Sequence, residues 1–246
     1  MRDPSRPGKE IQTSNDLESH FYGNTGRLIH KWLHYFAIYD LHFNRFRGRP
    51  VTLIEFGVFQ GGSLQMWKDY FGPEARIIGI DIDPRCLAFE DEQVQVILGD
   101  QDDRQFLRSL RETVDSVDII IDDGGHRMSQ QIATFEELWP AVSNGGVYLT
   151  EDVHTSYWSE YGGGYLEPTS FIEYAKTLID KMNAWHTRDA CAIDSYTRSI
   201  AGMHVYDSIV AFDKAVVGEP THRMTGVPAY EMSEEHQRLL LPPPAG

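Results

Sequence analysis

The sequence predicts an α/β fold: a mostly parallel sheet covered by helices on both faces. Three observations predict it. Between residues 50 and 155, short apolar segments alternate with longer segments of helical spacing. The apolar segments carry almost no polar interruption, as in strands buried on both faces, with Ile119, Ile120 and Ile121 as the clearest run. Each segment ends in glycine or a carboxylate. Ligands of such sheets bind beyond the carboxyl ends of the strands, so the strand ends are where function is sought.

The elements follow in order. Residues 1 to about 16 read as a polar arm. Leu17 to Phe46 is aromatic and helical in character, with Ile29, Trp32, Leu33, Phe36 and Tyr39 to Leu41 near helical spacing, and "RGRP" ends it. "VTLIEFGV" is the first strand, and "GSLQMWKDYF" is a helix closed by "GPEA". "RIIGIDID" and "VQVILGD" are the second and third strands, and "DRQFLRSLRETV" is a helix. "VDIIIDD" is the fourth strand. "SQQIATFEELWPAV" is a helix that "SNGG" is expected to terminate, glycine being common just past a helix end. "VYLTEDV" is the fifth strand. "HTSYWSEYGGGYLEP" has no periodicity and reads as a mobile loop over the sheet edge, a lid near 154–168. "SFIEYAKTLIDKMNAW" is a further helix, and "MHVYDSIVAFDKA" alternates as strands do, with "YDS" placed for a tight turn or a bulge. The chain thus divides into an N-terminal arm and aromatic segment (1–48), one α/β domain (49–217) and a Pro-rich tail (218–246).

Composition narrows the partners. Of 246 residues, 37 are acidic and 22 basic, a net charge of -15. Such a surface repels phosphate backbones and anionic lipid, so no nucleic acid or membrane surface is expected. No run approaches the ~20 apolar residues of a membrane span. Two cysteines, Cys86 and Cys191, make neither a disulfide framework nor a four-ligand zinc site, and a reducing cytoplasm is the expectation.

The strand ends carry the chemistry. The first, "IEFGVFQGGS", sets Glu55, Gly57, Gly61 and Ser63 before a helix whose free N–H groups can face a ligand. Its spacing is one residue longer than G-x-G-x-x-G, which argues against a dinucleotide dehydrogenase. Asp81 ends the second strand, where an acid can accept from both ribose hydroxyls, and Asp83 follows. Asp100 and Gln101 after the third can bond an adenine amino group, whereas Asp102 or Asp103 fits a helix N-cap. Asp123 ends the fourth strand, and Glu151 and Asp152 end the fifth. Three carboxylates brought together repel one another, and a divalent cation relieves that. An all-oxygen set suits Mg2+, Mn2+ or Ca2+ rather than zinc. His126, three residues past Asp123, is the expected base, with His154 near the same rim. Two other readings stand beside this one: a non-heme iron site of Asp123, His126 and His154, and a binding module without turnover.

These motifs resemble a family, the class I S-adenosylmethionine-dependent O-methyltransferases of the metal-requiring type. "EFGVFQGGS" resembles the methionine-binding turn, "IDID" the ribose strand and "GDQ" the adenine site. "IDDGGH" with "TEDVHTSYW" resembles the sugar O-methyltransferases of macrolide antibiotics, and "GRLIHKWLHYF" is similar to a mycobacterial methylmannoside 1-O-methyltransferase. The likeness covers roughly residues 50–160 and implies a Rossmann-like class I methyltransferase fold, with a seven-stranded sheet ending in an antiparallel hairpin. It implies S-adenosylmethionine held by Glu55, Gly57, Gly61, Ser63, Asp81, Asp100 and Gln101, with Asp122 on its amino group. It further implies Mg2+ (or Mn2+) on Asp123, Glu151 and Asp152, and His126 as general base. The lid would hinge at Gly162 to Gly164, with Tyr157, Trp158, Tyr161 and Tyr165 offering a wall for a sugar. There are departures. The macrolide enzymes carry a sizeable N-terminal domain that has no counterpart in the 50 residues before the first strand, and "DGGHRM" lacks the lysine base of catechol enzymes. Sugar, polyketide-linked sugar, polysaccharide end and phenol remain open as acceptors. The aromatic N-terminal segment and the tail suit a homodimer.

Overall fold

In the computed structural model, which describes residues 12–114, 116–227 and 229–234, the apolar runs form a single seven-stranded sheet. Its strands are β1 (Val51–Phe56), β2 (Ala75–Asp81), β3 (Val94–Leu98), β4 (Val117–Asp122), β5 (Val142–Thr150), β6 (Ile200–Val205) and β7 (Val210–Lys214). They lie in the order β3-β2-β1-β4-β5-β7-β6. β1 to β5 pair in parallel, and β7 and β6 close the edge antiparallel, as the Rossmann-like reading expects. The strand order reverses between β1 and β4, which is where ligands bind in open sheets of this kind.

Among the described residues six helices cover the sheet: α1 (Asp16–Gly23), α2 (Tyr35–Phe43), α3 (Gly62–Phe71), α4 (Arg104–Thr113), α5 (Met128–Leu138) and α6 (Phe171–Met182). Side chains alternate along each strand, so the two faces build separate cores. Leu53, Ile77, Ile119, Ile121, Val147 and Leu149 pack with α1, α2 and α3. Ile54, Ile78, Ile120, Tyr148 and Phe212 pack with α4, α5 and α6. α4 and α5 are also clamped electrostatically, since Arg104 and Arg108 both donate to Glu137.

Two elements differ from expectation. The segment from Leu17 to Phe46 is two helices rather than one, because residues 24–34 are irregular. Gly26 N donates to Asn24 Oδ1 and Asn24 Nδ2 to Arg27 O, and these local bonds replace helical ones. "SNGG" does not stop α5. The helix ends at Leu138, a 3-10 turn at Trp139–Ala141 follows, and 143–146 lie inside β5 at a register shift against β4. The hairpin turn falls at Asp207–Ser208, as "YDS" suggested, with Ser208 at φ 62. The described part of the tail, 218–227 and 229–233, has no helix or strand, and the arm before residue 12 and the end after 234 lie outside the described residues.

One further cluster of ionisable groups lies between α2 and the edge hairpin, away from the strand ends: His42, His204 and Asp213. Its groups are already paired. Asp213 accepts from Arg45 and interacts with His204 Nε2 at 2.8 Å, while His42 Nε2 lies 3.0 Å from Tyr206 Oη.

Two glycines fix how the chain crosses the strand ends. Gly57 has φ 89, and a Cβ there would lie 2.0 Å from Asp123 O. At Gly62 a Cβ would lie 2.3 Å from Leu28 O, so the irregular 24–34 segment can rest on the start of α3. Gly72, at φ 96, faces open space. With ψ -175 Gly72 lies in a backbone region that is essentially glycine-only, so Gly72→Ala is expected to cost backbone strain alone, about 1–3 kcal/mol. Gly57→Ala adds a backbone clash and is expected to cost more than about 4 kcal/mol or to prevent folding. Urea unfolding midpoints of the two variants check the order.

Candidate functional site

The site begins with a register. Phe56 of β1 pairs with Asp122 of β4, which pairs with Thr150 of β5, so three strands end level. The next residues, Gly57, Asp123 and Glu151, are carried one step further: Asp123 N donates to Phe56 O and Glu151 N to Asp122 O. Alternation then sorts the acids. Asp122 points to the α4–α5 face, where Gln101 Nε2 donates to Oδ1 and the Tyr148 hydroxyl reaches Oδ2 at 3.4 Å. Burial pushes its carboxyl up to about 7, against the pull of Gln101. Glu55 and Glu151 point to the α2–α3 face. Glu55 accepts from Ser63 Oγ at 2.7 Å and Trp67 Nε1 at 3.0 Å, and burial raises it to about 7.

A residue the motifs did not reveal completes this face. Lys31, on the irregular segment, has its side chain 3% exposed and its ammonium among carboxylates. Lys31 Nζ donates to Asp123 Oδ2, and to Glu151 Oε1 and Oε2 at 3.0 and 2.8 Å. Glu55 Oε1 is 4.0 Å away. Tyr39 of α2 donates to Glu151 Oε1 at 2.7 Å. Burial pulls the ammonium pKa down, but Asp123, Glu151 and Glu55 outweigh it and hold Lys31 protonated. Burial likewise drives Glu151 well above the usual carboxylate range, and Asp123 adds to it, with Lys31 opposing.

Asp123, His126 and Asp152 form the outer half of the site. Their ligating atoms lie within 4.8 Å of one another. His126 Nε2 is 3.5 Å from Asp152 Oδ2 and 3.9 Å from Asp123 Oδ1. His126 Nδ1 is buried with no hydrogen-bond partner. The Tyr35 hydroxyl donates to Asp152 Oδ1 at 2.7 Å, which fixes that carboxylate's rotation. Both His126 (φ 55) and Asp152 (φ 52) adopt the left-handed backbone. The glycines of "DGGH" serve close approach: a Cβ at Gly124 would meet Gln101 Oε1 at 2.2 Å, and one at Gly125 would meet Gln130 Oε1 at 2.2 Å. The two-histidine iron arrangement is not assembled among these groups, since His154 Nδ1 lies 2.8 Å from Ser208 Oγ and 4.0 Å from Asp152.

A cavity of about 620 Å³ opens onto these groups, a size usual for small-molecule sites. Of the expected cofactor residues, Gly57, Asp81, Asp100 and Gln101 are on its wall, with Asp123, His126, Glu151 and Asp152 beside them. Glu55, Gly61, Ser63 and Asp122 are buried and stand outside that wall. Asp81 also organises the loop after β1, accepting from Val58 N and Phe59 N at Oδ2 and from Asp83 N at Oδ1. Asp103 is the cap of α4, accepting from Gln105 N and Phe106 N, and Asp102 instead accepts from Ser129 Oγ. Trp32 lines the cavity and meets His154 edge-on at 5.9 Å, and His154 meets Trp158 at 4.7 Å. These rings make an aromatic rim beside Asp152. The 154–168 segment is folded into 3-10 turns, with Gly163 N donating to Trp158 O and Gly164 N to Ser156 O.

The chain is similar to several known proteins. Residues 54–153 match a family model described as a methyltransferase domain. The chain is 36% identical over 219 residues to a rhamnosyl-tetracenomycin C 3'-O-methyltransferase of Streptomyces olivaceus, covering 81% of this chain and 56% of that protein. It is 34% identical to the mycinamicin VI 2''-O-methyltransferase of Micromonospora griseorubida, over 74% of this chain and 49% of that protein. The solved MycE methyltransferase of mycinamycin biosynthesis, in complex with Mg, SAH and mycinamycin VI, superposes with TM-score 0.74 at 30% identity. That match covers 91% of this chain and 58% of the other. The chain spans about half the length of the curated relatives it matches.

Gln101 Nε2 holds Asp122, and its Oε1 accepts from Gly125 N at 3.1 Å. Gln101→Ala removes the closest side-chain partner of Asp122 and the acceptor of Gly125 N, and is expected to lower stability by about 1–3 kcal/mol with no ligand present. Denaturant unfolding of the ligand-free protein measures it; an unchanged midpoint would show that Gln101 serves a ligand alone.

Proposed function

The chain belongs to the class I S-adenosylmethionine-dependent methyltransferases related to the mycinamicin and tetracenomycin sugar O-methyltransferases, and we propose that it methylates a sugar hydroxyl of a small molecule or glycoside in a Mg2+-dependent reaction. One observation carries this reading: Asp123, His126 and Asp152 bring ligating atoms within 4.8 Å of one another at the ends of β4 and β5, with Glu151 beside them, on a cavity whose wall includes Gly57, Asp81 and Gln101.

The residues fit both groups. The all-carboxylate donor set suits a hard divalent cation, and the Lys31 ammonium lying between Asp123 and Glu151 is a stand-in for positive charge at that place. Gly57, Asp81, Asp100 and Gln101 would hold the cofactor from the cavity wall, with Glu55, Gly61, Ser63 and Asp122 supporting them from behind. Asp123, Glu151 and Asp152 would hold the metal. When bound, S-adenosylmethionine supplies the methyl group, and Mg2+ lowers the pKa of an acceptor hydroxyl. His126 receives the hydroxyl proton at Nε2, the ring atom facing Asp123 and Asp152. Tyr35 keeps the Asp152 carboxylate turned toward that proton path. Trp32, Trp158 and the lid around Gly162 to Gly164 exclude water and flank the acceptor. The acceptor's sugar character is supported by the relatives' substrates and by this aromatic rim; a phenol is the alternative.

The same proposal covers the setting. Among the described residues no helix is long and apolar enough to cross a membrane. A net charge of -15 disfavours nucleic acid, and the free thiols of Cys86 and Cys191 suit a reducing cytoplasm. Exposed Leu33 and Leu41 on the aromatic segment support a homodimer.

Methyl transfer from labelled S-adenosylmethionine to a panel of glycosides and phenols, with Mg2+ present, tests the reading. His126→Ala is expected to lower turnover by about 10²–10⁴-fold at saturating cofactor. Exhaustive EDTA treatment is expected to abolish transfer, and added Mg2+ to restore it. Full activity after chelation, or near-normal turnover of the histidine variant, overturns the metal or base assignment respectively.

A further inference from the structure

Lys31 is held too closely by the acids at the strand ends to be a bystander. Its ammonium bonds Asp123 Oδ2 and both oxygens of Glu151, and its side chain is 3% exposed. Among the described residues, the other side chain that donates to Glu151 is Tyr39, at Oε1. Two of the three carboxylates assigned to the metal thus spend oxygens on an internal cation. A divalent ion bound by Asp123 and Glu151 would sit at about 2.1 Å from their oxygens, against an ammonium already at hydrogen-bond distance from the same atoms. Two cations in those positions repel each other in a buried setting.

The chain around Lys31 is anchored by Ile29 in the core but carries no helix or strand hydrogen bonds of its own. Residues 24–34 belong to neither helix nor strand, so moving Lys31 breaks no ladder. The segment is held by contacts on either side of Lys31: the Arg27 guanidinium lies over Phe89 at 4.6 Å, and Trp32 meets His154 at 5.9 Å. His30, Lys31 and Trp32 all line the cavity.

We propose that Lys31 is an intramolecular competitor for the divalent metal: its ammonium and the metal claim the same oxygens of Asp123 and Glu151, so Lys31 sets metal affinity and metal entry displaces the 24–34 segment. The proposal rests on the metal reading given above. Lys31 acts here as a positioning residue, keeping the acids together and compensated until the metal replaces it. The metal's apparent affinity is then reduced by the fraction of molecules in which Lys31 is seated.

The experiment is Mn2+ binding to the full chain, followed by electron paramagnetic resonance without cofactor, for wild type, Lys31→Met and Arg85→Gln. Arg85 lines the same cavity but pairs with Asp83, so its variant reports the general loss of one positive charge. Lys31→Met is expected to bind Mn2+ at least about tenfold more tightly than wild type, the factor given by Lys31 being seated in roughly nine molecules of ten. Arg85→Gln is expected to change affinity less than about twofold, since exposed charges are screened. In wild type, hydrogen exchange at residues 27–34 is expected to rise when Mn2+ binds. Equal Mn2+ affinity in wild type and Lys31→Met overturns the competition and leaves the metal site standing. Equal tightening by Arg85→Gln reduces the effect to net charge and also overturns it. No Mn2+ binding by either protein overturns the metal reading itself. Should Lys31→Met not fold, the wild-type exchange decides: faster exchange at 27–34 with Mn2+ supports displacement, and unchanged or slower exchange refutes it.

Discussion

The parallel pairing of Asp122 with Thr150 is the constraint on which the site depends. A strand rises ~3.3 Å per residue and turns its side chain over at each step, so a slip of one residue would send every acid to the other face. Ile119, Ile120 and Ile121 prevent that slip. Each is fully buried, and they alternate between the core under α1–α3 and the core under α4–α6. The isoleucine run therefore does more than fill space. It fixes which face receives Asp122, and through the β5 ladder which face receives Glu151.

Bringing carboxylates to one place inside a protein costs several kcal/mol per buried ion unless partners offset it. The structure meets that cost differently on each face. Asp122 is met by polar neighbours, Gln101 and Tyr148, and its raised proton affinity shows that they offset only part of the burial. Glu151 is met by a true counter-ion. At an effective dielectric of about 20, an ammonium 3–4 Å from a carboxylate is worth roughly 4 kcal/mol, and Lys31 faces two such groups closely and Glu55 more distantly. The inner half of the acid cluster is thereby partly compensated from within. Asp123 Oδ1 and Asp152 Oδ2 are left facing His126 on the outer half.

Most of this architecture was legible because it is local or periodic. Apolar runs, their spacing and their terminal acids gave the strands, the sheet and the positions of Asp81, Asp100, Gln101, Asp123, His126, Glu151 and Asp152. Lys31 was not legible from the motifs. Its partners lie 92 and 120 residues away, and within "HKWLHYF" it reads as a polar position on an aromatic helix that in fact begins only at Tyr35. A usable signal was present, since Lys31 is the one lysine between residues 10 and 67, in a chain whose strand ends gather acids. The misplaced stop at "SNGG" has a similar origin. Glycine after a helical pattern usually marks its end, yet here Trp139, Pro140 and Ala141 had already ended it, and Gly145 at φ 86 serves an irregular start of β5.

The two strained residues of the site share one support. Left-handed backbone costs a non-glycine residue of order 1–2 kcal/mol, and it survives only where the surroundings hold it. His126 and Asp152 both adopt it, one just past β4 and one just past β5. Thr155, 2% exposed, shares its hydroxyl between His126 O at 3.0 Å and Asp152 O at 2.8 Å, and its N–H also donates to Asp152 O. A single buried residue thus ties the carbonyls of both turns together. Strain on either turn is transmitted to the other through that hydroxyl, so His126 and Asp152 are set as a pair. This accounts for a histidine and a carboxylate from separate strands meeting at 3.5 Å without a direct backbone bond between them.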